Sequence, residues 1–113
     1  MARNPVAQLL SPSLDSELEA EGEKYLYGSG GSVNCARARN ILMTAAERSN
    51  AKAESVLGTM YATGHCTAPD LALAYRWFAK AHRLEPKNAR LAHDLSVLWR
   101  QMTSEEHQIA ARQ

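Results

Sequence analysis

The stretches AESVLGTMYATG at residues 53–64 and DLALAYRWFAKA at residues 70–81 decide the fold. In the first, Leu57, Met60 and Tyr61 fall on one stripe at a spacing of 3.6, and Gly64 stands where a left-handed residue ends a helix. The spacing predicts a helix over about 51–63. In the second, Ala74, Trp77, Phe78 and Ala81 share one apolar face. Thr67, Pro69 and Asp70 carry the marks of a helix start, and Glu85-Pro86 stops the run, so a second helix is predicted over about 69–84.

Sliding the sequence by 36 residues places Gly22 on Gly58, Tyr25 on Tyr61 and Gly28 on Gly64. The same shift places Ala36 on Ala72, Ala38 on Ala74 and Ala45 on Ala81. Asn34 falls over Asp70, Ile41 over Trp77 and Leu42 over Phe78, with no gap, so the helical hairpin occurs twice. In the first copy one helix is predicted from about Pro12 to Tyr27, ending at Gly28, and a second from the N-cap Asn34 to Arg48. A third frame is incomplete: Ala89 lies 36 residues beyond Ala53, but Val97 and Arg100 occupy the Tyr and Gly positions. Residues from Pro86 to about Gln101 are read as a degenerate helix. Thr103 and Glu106 form a capping box that starts a last helix over about 104–112.

Antiparallel helices approach closely only where one presents a small side chain. Gly22, Gly58, Ala38, Ala74, Ala45 and Ala81 are therefore the expected contact points, with Tyr61, Trp77 and Phe78 filling the gaps. The expected fold class is all-α: an α/α superhelix, a tetratricopeptide-like solenoid of two 36-residue helix-turn-helix repeats with a C-terminal capping helix pair. The repeats are placed at about 15–50 and 51–86 and the cap at 87–113, within one domain over 12–113. Residues 1–11 lack a periodic pattern and are expected to fray.

Composition agrees with one helical domain. The 113 residues suit a single core, and only seven aromatic residues among abundant Ala and Leu tilt the chain toward helix. Thirteen Lys and Arg against twelve Asp and Glu give a formal charge of +1, which offers no long-range attraction for nucleic acid or anionic lipid. Neither a membrane-crossing run nor a secretory leader is evident, so no membrane insertion is expected of the chain as given.

The run Ala53-x-x-x-Leu57-Gly58-x-Met60-Tyr61-x-x-Gly64, then Asp70-x-x-x-Ala74-x-x-Trp77-Phe78-x-Lys80-Ala81, resembles the Sel-one-like repeat, a 36-residue relative of the tetratricopeptide repeat. The likeness is specific over Ala53–Ala81, weaker but in register over Gly22–Ala46, and covers half to two thirds of the chain. Departures are Cys66-Thr67 for the usual Gly-Val, Thr44 for Lys, Ile41-Leu42 for Trp-Phe, and His82 for a second Ala. The resemblance implies an α/α superhelix that organises protein complexes, often in bacteria and in cell-envelope or secretory settings, with no shared catalytic residues.

Cys35 begins a helix of the first copy and Cys66 sits in the hairpin loop of the second, so stacking of the copies would bring them to one edge. Two readings stay open, a disulfide or two free buried thiols. A bridge would clamp the repeats and indicate a periplasmic or secreted setting; without one, a chain complete as given would be cytoplasmic. Adding His65 to the two cysteines makes a metal reading, but paired zinc-ligand spacings are missing and no metal or cofactor is expected. His82, His93 and His107 read as surface or packing residues. Glu17, Glu19, Glu21 and Glu23 read as a solvated acidic face at a helix start. Ser29-Gly30-Gly31-Ser32 lacks the Lys of a phosphate loop and reads as a flexible connection. With no positioned nucleophile and base, the chain is not expected to be an enzyme; a small hydrolase is the remotest alternative.

In such a superhelix the first helices of each hairpin line the concave side. The expected partner-binding residues are Glu19, Glu23 and Leu26 in the first copy, Lys52, Ser55, Thr59 and Ala62 in the second, and Asn88, Leu91 and Leu95 in the third. Acidic at one end and apolar at the other, the set suits a protein or peptide partner, extended or helical, with an apolar anchor and some basic character. The competing expectation is that Leu91, Leu95, Leu98 and Trp99 pack under the last helix. The expected function is a non-catalytic protein-interaction scaffold. The alternative is a self-association module, a homodimer, because two repeats are fewer than a stable stack normally needs.

Overall fold

A computed structural model describes residues 12–112, with side chains from residue 16 onward. The stretch 1–11, expected to fray, lies outside the described residues. Among those described, six helices follow one another: α1 Pro12–Tyr27, α2 Cys35–Glu47, α3 Ala51–Thr63, α4 Leu71–Leu84, α5 Ala89–Gln101 and α6 Ser104–Ala111. The boundaries expected from sequence differ by a few residues at most. Asp70, outside α4, is its N-cap, and Asn88 rather than Pro86 sets the start of α5.

Each start has a local cause. Asn34 Oδ1 accepts from the backbone N–H of Arg37 at 3.0 Å, Asn50 Oδ1 from Ala53 at 3.0 Å, and Asp70 Oδ1 from Leu73 at 3.0 Å, satisfying otherwise unpartnered donors of the first turn. At α6 the capping box is reciprocal: the Glu106 N–H donates to Thr103 Oγ1 at 3.1 Å, and the Thr103 N–H donates to Glu106 Oε1 at 2.8 Å.

The helices pack largely in chain order. α1 lies against α2, α2 against α3, α3 against α4 and α4 against α5; α1 also touches α3, and α6 folds back over α4. The first core cluster joins α1, α2 and α3 through Leu26, Leu42, Leu57 and Met60. The second joins α4, α5 and α6 through Phe78, Leu91, Leu98 and Ala110, with Met102 between the last two helices. Ala38, Ala45, Ala74 and Ala81 are fully buried at the contacts. A Cβ added at Gly22 would lie 2.6 Å from Leu42 Cγ, and one at Gly58 would lie 2.8 Å from Phe78 ring carbons. Burial of these small residues is what lets the helix axes come together.

Several features recur 36 positions apart. Gly28 has φ +73° and Gly64 φ +74°. The Asn34 N–H donates to Tyr25 O at 2.9 Å, and the Asp70 N–H donates to Tyr61 O at 2.9 Å. Both α1–α2 and α3–α4 hairpins thus turn on a left-handed glycine and close on the same backbone bond.

A disulfide joins Cys35, at the start of α2, to Cys66 in the α3–α4 loop, with Cα atoms 5.0 Å apart. Of the two readings the sequence left open, this is the bridge. Cys66 has φ +63°, so a cysteine adopts the left-handed geometry that glycine takes most readily. Gly30, 36 positions earlier in the α1–α2 loop, also has a left-handed φ, +79°, while the Cys66 side chain forms the cross-link. No helix of the described residues is long and apolar enough to cross a membrane.

Candidate functional site

The expected partner-binding residues are spread over α1, α3 and α5, and the structure brings six of them to one groove. Glu23, Lys52, Ser55, Thr59, Asn88 and Leu91 line a depression of about 570 Å³, together with Tyr27, Val56, Phe78, Arg90 and Asp94. A smaller cleft of about 400 Å³ continues from it, sharing Tyr27 and Thr59 and reaching Met60, Thr63 and His65. Glu19 and Leu95 are not in its lining. Glu19 stands one turn before Glu23 on α1, within electrostatic reach of Lys52.

Two of the expected leucines lie mostly within the core, and Leu91 also lines the groove. Leu26 is only 1% exposed and belongs to the first core cluster, and Leu91 is 4% exposed and belongs to the second. Leu26 lines only the adjoining cleft, so it offers a partner little side-chain surface. Its burial follows from the α1–α3 contact and from the loop after α3, where His65 Nε2 lies 3.0 Å from Leu26 O and the His65 ring stacks on Tyr27. Under the last helices Leu98 is buried and Leu95 half-buried, while Trp99 stays 41% exposed and stacks on His107.

The groove is rich in acceptors for a reason that lies in α3. Ser55 Oγ donates to Ala51 O at 2.9 Å, Thr59 Oγ1 to Ser55 O at 3.1 Å and Thr63 Oγ1 to Thr59 O at 2.8 Å. Each hydroxyl proton is committed to the preceding turn, which leaves oxygen lone pairs facing outward. Asn88 is likewise committed: its Oδ1 caps α5 by accepting from Arg90 and Leu91, and its Nδ2 donates to Glu85. The groove thus presents Ser and Thr oxygens, Glu23 and Asp94 as acceptors, Lys52 and Arg90 as cations, and Val56 and Phe78 as apolar floor.

Burial pushes the Glu19 carboxyl up to about 7, and the Glu23 carboxyl beside it adds to the shift while Lys52 opposes it. Glu19 Oε1 is buried with no hydrogen-bond partner. One turn from Glu23, just outside the groove lining, α1 therefore holds a carboxyl whose ionisation is opposed by burial.

Cys35 and Cys66 are joined, so neither offers a thiolate as nucleophile or ligand. Among the described residues no group of three or more His, Cys, Asp or Glu side chains is arranged to hold a metal ion. The residues that the sequence reading missed in the groove are Tyr27, Val56, Phe78, Arg90 and Asp94. Arg90 and Asp94 had a legible signal, since they lie four apart on α5 and share a face beside Leu91.

Comparison with family models, with curated proteins and with solved structures gives no match. The likeness to the Sel-one-like repeat rests on the residues of this chain alone.

Proposed function

We propose that this chain is a non-catalytic scaffold whose two hairpins and cap form a short tetratricopeptide-like superhelix, and that its groove holds a peptide or helix of a partner protein. The observation that carries the reading is the convergence of Glu23 from α1, Lys52, Ser55 and Thr59 from α3, and Leu91 from α5 on one depression. Recurrence of the turn geometry, capping and Gly–large-residue contacts 36 positions apart supports the tandem arrangement. The partner that fits carries hydrogen-bond donors for the acceptor row of α3, an apolar side chain over Val56 and Phe78, and a basic residue toward Glu19 and Glu23. The Cys35–Cys66 bridge favours an oxidising compartment, periplasmic or extracellular.

Selection from a displayed random-peptide library tests this. Thr59 is exposed, so Thr59→Arg fills the groove without disturbing the core. Peptides enriched by the wild type and lost on Thr59→Arg and on Lys52→Glu locate the site. Equal binding by both variants would move it out of the groove, and failure to enrich any sequence would remove the reading.

Self-association is a second reading, favoured by the exposure of Trp99 and Ile109, 41% and 49%, on the last two helices. Sedimentation equilibrium showing a monomer at every accessible concentration would eliminate it.

A further inference from the structure

The smaller cleft of about 400 Å³ lies where two helices end. Leu26 and Tyr27 close α1, while Thr59, Met60 and Thr63 belong to the last turns of α3, whose C-cap is Gly64. Helix C-termini carry the negative pole of the backbone dipole, and a cation is what complements it. α3 has no basic residue in its last turn. The one in α1, Lys24, runs beside the following loop instead, with its Cε 3.7 Å from where a Gly30 Cβ would stand. No Lys or Arg lines the cleft, and Glu23, one turn before Tyr27, lines the groove next to it.

The walls define the shape of that cation. The His65 ring lies nearly parallel to that of Tyr27, with centroids 5.8 Å apart and planes at 15°, and its Nε2–H donates to Leu26 O at 3.0 Å. The next residue, Cys66, is tied to Cys35, so the aromatic pair is held at the cleft before any ligand arrives. Tyr27 is 57% exposed, which leaves its ring open to a ligand. Thr59 and Thr63 are also exposed, and their hydroxyl protons are given to the preceding turn, so toward a ligand they can only accept. An apolar side chain would cover these oxygens without supplying donors, and an anion would meet acceptors and the negative ends of two helices. A flat cation rich in donors suits ring, hydroxyls and helix ends together. Guanidinium stacks on an aromatic face while its N–H groups fork outward, and the compact ammonium of lysine lacks that shape. We propose, on the peptide-binding reading of the groove, that this cleft is its specificity subsite and takes an arginine side chain of the bound peptide, stacked on Tyr27 with its N–H groups on Thr59 and Thr63.

The test is an amide chemical-shift titration of the whole chain with N-acetyl-arginine amide, N-acetyl-lysine amide and N-acetyl-citrulline amide. Citrulline keeps the planar shape of arginine and loses its charge. Saturable shifts confined to the last turns of α1 and α3 and to His65 are expected with the arginine probe, about threefold or more weaker with the lysine probe and absent with citrulline. Tyr27→Leu and Thr63→Val should each weaken arginine binding by about threefold or more. Both side chains are exposed, so neither variant disturbs the core. Thr63 lines the cleft and not the groove, so a peptide selection that depends on Lys52 can succeed where the arginine probe fails, which separates the subsite from the groove reading. Lysine or citrulline binding as tightly as arginine, no saturable arginine response by about 50 mM, or unchanged affinity in either variant would overturn the subsite.

Discussion

The α-carbon of Gly58 faces the ring of Phe78 so closely that a Cβ there would lie 2.8 Å from two ring carbons. Phe78 also forms part of the groove floor, so helix packing and groove shape depend on the same missing side chain. Gly58→Ala gains about 0.5–1 kcal/mol of helix propensity and suffers about 1–3 kcal/mol of overpacking. A net loss of about 1 kcal/mol is expected, read as a lower urea midpoint. Gly22→Ala, blocked by buried Leu42, should fall in the same direction. Gly31→Ala, with nothing within 4 Å of the added atom and no left-handed φ, should stay within about 0.5 kcal/mol of wild type.

The Cys35–Cys66 bridge closes a segment of 31 residues, and on the loop-entropy account a ring of that size contributes about 3–4 kcal/mol. Urea unfolding with and without reductant should differ by that order. In a Cys35→Ser background, Cys66→Gly should be more stable than Cys66→Ser by about 1 kcal/mol, because residue 66 has φ +63°. Equal stability of the two would show that the left-handed turn relaxes once the sulfurs part.

Acid titration should reveal the buried carboxyls with a sign opposite to the usual one. Glu19 is raised from its ordinary 4.5 to about 7, chiefly by burial, and Glu54 is raised for the same leading reason. Between about pH 4.5 and 7 the folded chain holds more protons than the unfolded one, so their contribution is complete below the unfolded value and lost as pH rises through the folded one. Stability should decline over that window by on the order of 1 kcal/mol for Glu19 after solvent screening. Glu19→Gln should flatten the decline, measured as urea midpoints at pH 4.5 and 7.5.

Asp70 caps α4 through its bond to the Leu73 N–H. Asp70→Ala should cost about 1 kcal/mol, and Asp70→Asn, which retains the acceptor, only a few tenths. Thermal melts of the two variants separate the cap from any general effect of charge.

Helix positions were legible because each depended on residues adjacent in sequence, such as Asn34, Asp70, Gly28 and Gly64. The groove was partly legible: the 36-residue frame brought Glu23 and Thr59 to one face because they occupy matching positions on consecutive hairpins. Leu26 and its frame partner Ala62 both turn toward the core, Leu26 filling the first cluster and Ala62 packing against the second, which the 36-residue frame alone does not distinguish from a concave position. Glu54 escaped notice although the signal was present. It lies three residues before Leu57 and four before Gly58, on their stripe, and a charge in that place asks for an explanation. The pairing of Cys35 with Cys66 depended on how two hairpins stack, which no local pattern specifies.

The covalent ring between Cys35 and Cys66 encloses α2 and α3 whole. Under tension applied at the two ends of the polypeptide, force would pass through the sulfurs and bypass that segment, hiding about 100 Å of contour length from an optical trap until a reducing agent is added. Extension of the oxidised molecule would thus come only from the stretches on either side, and the first helical pair and the second would stay linked until the disulfide itself is broken.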